Sequence, residues 1–398
     1  MNIAIVFDSE SDGGGGFYQS LNTSRIIKRL SGKYNLIFIT TSKIDSKYLK
    51  KDDLKFIFYN KKKISKLYER IKKNNIINYL IKKIGFKNPF TNFLKIYKID
   101  FVIFLGPSYL INLCDEINFS VNIWDTGYLF NNYYPEFKNN NSICIRDEIV
   151  NKSVKESFAI FVDTEKSKKN LVRFYNCFEQ KILIQPFIPY ISSYYNIYYK
   201  NKIDYKKILS SIGINLSKKY FFYPAQFWSH KNHKFLLDVI KILNDKDIQL
   251  VFCGSDKGNL EYIKKYINKH KLINFVKIFQ FVDEVQLISL YLGCSGLLIP
   301  TVVATSTLIL YEGLFFQKKI FYTSGILDTN LESFVTTFCL KDPNDLAKKI
   351  ISYLKNEKEN TVKEVSKEHI NLEYNENKCK ERYEQMLDDY KYKSSFWK

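Results

Sequence analysis

The sequence predicts an α/β fold class with two Rossmann-like doubly wound parallel-sheet domains, on three observations. Short apolar runs of strand length alternate with segments whose apolar residues recur at helical spacing. The alternation fills the first half of the chain and then restarts in the second, as expected for two parallel sheets. Polar or glycine-containing loops follow the strand ends, where open α/β sheets bind ligands. The 398 residues are enough for two cores. A hydrophobic content of 45% with 26% charged residues fits a soluble globular protein, not a disordered one.

In the first half, Asn2–Asp8 reads as a buried strand. The glycine run Gly13–Gly16 follows, then Phe17, Leu21, Ile26, Ile27 and Leu30 at roughly helical spacing. Strand, glycine turn and helix open a Rossmann-type unit. Bare glycines let backbone N–H groups approach a phosphate or sugar, and they equally suit a flexible turn. GxGxxG is not satisfied, and no acidic residue directly ends the next strand, Leu36–Thr40, so a dinucleotide site is poorly supported. Strands are expected at Asp100–Leu105, Ser120–Trp124, Ile160–Asp163 and Ile182–Ile184. Asp125, just past one strand end, suits either a base that orients an acceptor hydroxyl or a turn aspartate. Thr164 caps a helix that carries Leu171 and Tyr175. The stretch from Tyr190 to Lys218 has no clean period and reads as a linker, with a short helix near Tyr205–Ile212.

The second half opens on Tyr220–Tyr223, an apolar run broken by Pro224. Phe235, Leu236, Val239, Ile240 and Leu243 then recur at helical spacing. Trp228, His230, Lys231, Asn232 and His233 therefore occupy a loop between a strand end and a helix N-terminus. A lysine beside free backbone N–H groups and a positive helix end suits an anionic phosphate. Further strands are expected at Gln249–Cys253, Val276–Phe279, Gly296–Ile299 and Lys319–Tyr322, with helices at Leu260–Ile267 and Glu284–Tyr291 and a charged helix over Asn377–Lys398. The expected organisation is a first domain over 1–189, a linker over 190–218, a second domain over 219–375 and a C-terminal helix over 376–398.

Several classes are disfavoured. The seven cysteines form no CxxC pair, which argues against zinc or a disulfide framework and fits a reducing compartment. MNIAIVFDSE lacks the basic lead of a signal peptide. Ser289–Tyr311 is uncharged up to its end, but Gly293, Gly296 and Pro300 make it a poor membrane span. No P-loop occurs. The Asp245/Asp247 pair falls in a turn before a strand, and His230 and His233 have no third ligand group nearby. Net charge is +20, with 17 Lys/Arg against 4 Asp/Glu between Lys43 and Lys98. There Ile64, Leu67, Ile71, Ile77, Leu80, Ile81 and Ile84 suggest basic amphipathic helices that pack on the domain or lie on an anionic membrane. No recognition motif accompanies the charge, so nucleic acid is not an expected partner.

These motifs resemble the retaining GT-B glycosyltransferases of bacterial group 1 (family 4). Pro224–His233, PAQFWSHKNH, is the most specific match. Val162–Tyr175, Gly13–Leu21, Trp124–Tyr128 and Phe281–Thr301 with Tyr311-Glu312-Gly313 are also similar to that family, so the resemblance spans most of the chain outside 43–98 and the linker. It implies two Rossmann-like domains facing each other across a cleft and transfer of a hexosyl group from a nucleotide-diphosphate sugar to a glycan or lipid-linked hydroxyl, in O-antigen, lipopolysaccharide or capsule assembly at the inner membrane face. The candidate catalytic residues are Lys231 and Glu312, which the resemblance implies, and Asp125, from its place after a strand end. Lys231 matches the lysine that holds the donor diphosphate, and Glu312 the carboxylate that binds the ribose hydroxyls. Ser306, Thr307 and Leu308 match the backbone amides that contact the phosphates, and Gly14, Gly15 and Gly16 approach the donor from the other domain. Neither metal nor cofactor is implied. The chain departs from the pattern at Ala304, where many relatives have the first of two glutamates, and at Tyr128, where the branch has histidine. Ala225 or Gln226 stands where many relatives have an arginine. A catalytically impaired sugar-nucleotide-binding protein of the same fold is the alternative reading.

Overall fold

The computed structural model describes residues 1–9, 14–42, 53–60, 88–131, 133–138, 140–191, 195, 202–303, 307–356 and 375–397. Most of the basic stretch 43–98, including the helices expected over Ile64–Ile84, lies outside the described residues. The chain forms two compact units, one of Met1–Thr126, Asn139–Ile188 and Asn375–Lys398, the other of Gly127–Lys138 and Pro189–Tyr374.

The first unit runs β1 (Asn2–Phe7), α1 (Gly15–Lys28), β2 (Asn35–Thr40), β3 (Phe56–Phe58), α2 (Pro89–Ile96), β4 (Phe101–Phe104), β5 (Asn118–Asn122), α3 (Asn140–Glu156), β6 (Ala159–Val162), α4 (Glu165–Tyr175) and β7 (Ile182–Ile184). Its seven strands are parallel in the order β3-β2-β1-β4-β5-β6-β7. Strand order reverses between β1 and β4, so this end of the sheet holds the unit's crevice. Continuous apolar strands such as Phe101–Phe104 are buried along their length because helices cover both faces. Val6, Val102, Phe104, Val121 and Ile160 meet in one core; each fully buried side chain of this size contributes ~1.5–3 kcal/mol. The C-terminal helix Glu376–Ser394 packs on this unit. Tyr383 hydrogen-bonds the Asn122 amide at 2.8 Å, and the Tyr390 ring lies 4.4 Å from Phe101.

Strand β5 begins and ends two residues earlier than the hydropathy suggests. Pairing stops at Asn122, and Trp124 turns its ring over Gly16 and Gly106. The helix α3 was not expected, because its polar residues show only a narrow buried face at Ile149, Val150 and Ser153.

The second unit runs α5 (Tyr205–Ser211), β8 (Lys219–Tyr223), α6 (His233–Leu243), β9 (Ile248–Cys253), α7 (Leu260–Lys269), β10 (Val276–Phe279), α8 (Glu284–Gly293), β11 (Gly296–Ile299), α9 (Leu308–Phe315), β12 (Lys319–Thr323), α10 (Thr329–Glu332), β13 (Thr336–Phe338) and α11 (Pro343–Lys355). Its six strands are parallel, in the order β10-β9-β8-β11-β12-β13. The reversal falls between β8 and β11. The start of α8 is set by a capping box, in which Asp283 accepts from the Gln286 N–H and the Gln286 side chain accepts from the Asp283 N–H. Helix α11 follows Asp342 with Pro343 in its first turn, a start signal that the sequence did carry. Asp245 accepts from the Asp247 N–H at 2.9 Å, so this acidic pair forms a turn. No helix among the described residues is long and apolar enough to cross a membrane.

Candidate functional site

Two loops meet at the switch point of the second unit. One leaves β8 and carries Lys231; the other leaves β11 and leads to α9, which carries Glu312. The Val302 N–H donates to the His230 carbonyl at 3.0 Å and ties the loops together. Of the residues expected on the donor side, Lys231, Thr307, Leu308 and Glu312 thus lie on adjacent strand ends. Ser306 and Ala304 lie outside the described residues.

The β8 loop is held by its own sequence. Gly254 lets β9 approach closely, since a Cβ there would stand 2.3 Å from the Ala225 carbonyl oxygen. The Phe227 N–H donates to the Ser255 carbonyl at 3.0 Å. Trp228 Nε1 donates to Gln226 Oε1 at 3.1 Å, and Gln226 Nε2 to Ser255 Oγ at 3.1 Å. Beneath the loop, the Tyr223 hydroxyl donates to the Lys231 carbonyl at 3.0 Å. Asn232 takes left-handed backbone (φ 55°), which turns the chain into α6. His233 is fully buried, with its ring stacked on Phe227 at 4.4 Å and edge-on to Phe252 at 5.1 Å. Burial pushes its pKa down to about 3, against the opposing pull of the Ala225 backbone. It is a neutral core ring, and Lys231 is left as the half-exposed cation of the motif.

His230 has a different role. Its N–H donates to Glu136 Oε1 at 2.9 Å, and its Nδ1 lies 2.5 Å from the same oxygen. Phe137 stacks on the imidazole at 5.5 Å. The Glu136 side chain is only 5% exposed. Burial raises its carboxyl pKa, but the hydrogen bonds from the His230 ring and backbone outweigh this and hold it below the usual carboxylate range. The sequence reading missed Glu136. The available signal was an acidic residue inside the aromatic run Tyr133-Tyr134-Pro135-Glu136-Phe137.

Among the described residues, Thr307 at the start of α9 makes no side-chain cap, and its buried hydroxyl finds no partner. A helix N-terminus carries partial positive charge, which suits an anion. Glu312, one turn further on, accepts a hydrogen bond from Tyr291. Burial raises the Glu312 pKa to about 7, with the Tyr291 hydrogen bond pulling the other way. Tyr291 was also missed, because its partner belongs to the next helix.

The remaining expected residues lie in the first unit. Gly14 sits at φ 61°, ψ −131°, a conformation open to glycine. Gly15 and Gly16 begin α1, which has no side-chain N-cap. A Cβ on Gly16 would stand 2.8 Å from the Trp124 ring, so this glycine is required by packing within the unit. Asp8, at the end of β1, accepts from Ser108 across the switch point at 2.6 Å and also from Thr41. Asp125 faces Arg146 at 3.9 Å. Behind it lies buried Asp163, which accepts from Ser167 at 2.8 Å. Burial, with the Asp125 charge as a smaller contribution, pushes the Asp163 carboxyl up to about 8.

Residues 204–369 match the family model for glycosyl transferases group 1. No curated protein sequence matches the chain. Among solved structures, the chain is similar to a glycosyltransferase from Rickettsia africae (TM-score 0.69, 17% identity, 97% of this chain and 98% of that one). It is similar to Anabaena HepE, solved in complex with UDP and glucose (TM-score 0.72, 11% identity, 98% and 100% covered). A third is WaaG, a glycosyltransferase involved in lipopolysaccharide biosynthesis (TM-score 0.58, 13% identity, 87% and 90% covered). At these identities the structures share the fold, two parallel-sheet α/β domains of the GT-B kind, and the activity rests on the family match. Residues 204–369 match the glycosyl transferases of group 1, and the chain is a glycosyltransferase with the GT-B fold.

Proposed function

We propose that the chain is a retaining glycosyltransferase that moves a sugar from a nucleotide-diphosphate donor to a hydroxyl of a glycan or lipid-linked acceptor. The observation that carries this is the meeting, at one switch point, of the Lys231 loop with the loop from β11 that leads to α9, joined through His230 and Val302. Cleavage of a sugar–diphosphate bond develops negative charge on the leaving phosphate. The Lys231 ammonium and the amides assigned to the phosphates, those of Ser306, Thr307 and Leu308, stabilise that charge more in the transition state than in the ground state. Glu312 accepts the ribose hydroxyls, Gly14–Gly16 approach the donor, and Asp125 orients the acceptor hydroxyl. No metal is needed in this scheme. UDP and UDP-glucose bound to HepE support a nucleotide-sugar donor. WaaG's part in lipopolysaccharide biosynthesis supports a surface-polysaccharide role. The basic stretch 43–98 suits an anionic membrane surface on the cytoplasmic side.

The test is transfer and donor hydrolysis across a panel of UDP- and GDP-sugars with the wild type and Lys231→Ala. The expected result is turnover of one donor by the wild type and its loss in a folded variant; full activity in Lys231→Ala would sink the mechanism. Tyr128, buried where the branch carries histidine, favours a second reading, a sugar-nucleotide binder without turnover. Heat of donor binding with no product from any acceptor or from water would select that reading.

A further inference from the structure

His230 is the point at which three segments of the second unit are joined. Its amide and its ring Nδ1 both engage Glu136 Oε1, at 2.9 and 2.5 Å. Its carbonyl accepts from Val302, on the loop leading to α9, at 3.0 Å. The next residue is Lys231, whose carbonyl is fixed from below by Tyr223. Phe137 and Trp228 both stack with the His230 ring, with ring centroids at 5.5 and 6.3 Å. The Glu136 side chain is 5% exposed. A carboxylate so far removed from water is costly unless its lone pairs are met by donors. Two of the donors that meet it come from His230, ring and backbone, so His230 and Glu136 hold each other in place.

We propose that Glu136 is a positioning residue for the donor diphosphate. Through His230 it fixes the loop that presents Lys231 against Val302 of the neighbouring loop. This rests on the donor-site reading given above. The pair matters because an ammonium acts on a diphosphate only when it is held in place, and displacement of about 1 Å is enough to lose much of that effect.

The test is a double-substitution cycle on the full chain, read by calorimetric titration with UDP, GDP and ADP, beside an NMR measurement that needs no nucleotide. Glu136→Gln keeps size and one acceptor oxygen but removes the charge. It is expected to weaken diphosphate binding by about tenfold in the wild-type background, and by no more than about twofold when Lys231 is already alanine, because coupled residues are not additive. His230→Gln, which removes the ring but keeps the backbone bonds, is expected to show the same non-additivity if Glu136→Gln folds poorly. Undiminished loss of affinity from Glu136→Gln on top of Lys231→Ala would mark a general structural role and overturn the proposal. In protein labelled with 15N-histidine, where the chain has four histidines, Glu136→Gln should shift one ring's Nδ1 resonance. An unmoved spectrum overturns the Glu136–His230 pair itself. Unchanged diphosphate affinity in Lys231→Ala, with the Nδ1 shift present, overturns the donor reading and the role that rests on it while leaving the pair established.

Discussion

Tyr291, on α8, donates its hydroxyl to Glu312, on α9, and so links the two helices that flank β11. The bond opposes the burial that lifts the Glu312 carboxyl from 4.5 to about 7. A carboxyl whose folded pKa is raised contributes stability below about 4.5 that is lost as pH rises through about 7. Glu312→Gln should therefore melt higher than the wild type at alkaline pH and match it in acid, measured as Tm against pH. Nucleotide affinity should run the other way. It should rise in the wild type as Glu312 ionises, and in Tyr291→Phe the inflection should move to higher pH. An inflection that stays in place would separate Tyr291 from the carboxylate.

Asp163 obeys the same sign over a wider window. Its carboxyl is lifted from 3.8 to about 8 by burial, so the wild type loses stability between those limits as pH rises. Asp163→Asn should flatten this dependence in thermal melts. Asp125→Asn should shift its upper limit downward, since the Asp125 charge is one of the groups raising the Asp163 pKa.

His233 carries the opposite sign. Its folded pKa lies at about 3, against an ordinary 6.5, so stability present at neutral pH is lost as pH falls between those values. His233→Phe keeps an aromatic ring between Phe227 and Phe252. It should remove that acid limb and change neutral stability by less than ~1.5 kcal/mol. An acid limb identical to that of the wild type would show that His233 does not titrate on unfolding.

Gly106, Gly32 and Gly254 form a graded series. Gly106→Ala places a methyl 2.5 Å from the Trp124 ring, which must swing aside. The expected cost is ~1–3 kcal/mol, together with a change in tryptophan fluorescence. Gly32→Ala, which meets nothing within 4 Å, should be silent in both measurements. Gly254→Ala meets the Ala225 backbone at 2.3 Å. Backbone cannot rotate away as a ring can, so this variant should fall at or beyond the upper end of the ~1–3 kcal/mol range in denaturant titration.

The sequence by itself determined the two parallel sheets, the loop that carries Lys231 and the helix that carries Glu312. These features are local: apolar runs of strand length, a helical repeat after a loop, and the short motif Pro224–His233. Their information is carried by neighbours along the chain, where hydropathy and turn chemistry act directly. Only the tertiary structure decided what holds them. The partner of His230 is 94 residues away, and that of Tyr291 is on another helix. Helix α3 has too narrow an apolar face to be read from period alone. Trp124, read as the end of a strand, is drawn out of it by the flat space above Gly16 and Gly106. Such pairings depend on which strand ends the sheet order brings together. That order is set by summed burial over the whole unit, and no short stretch of sequence encodes it.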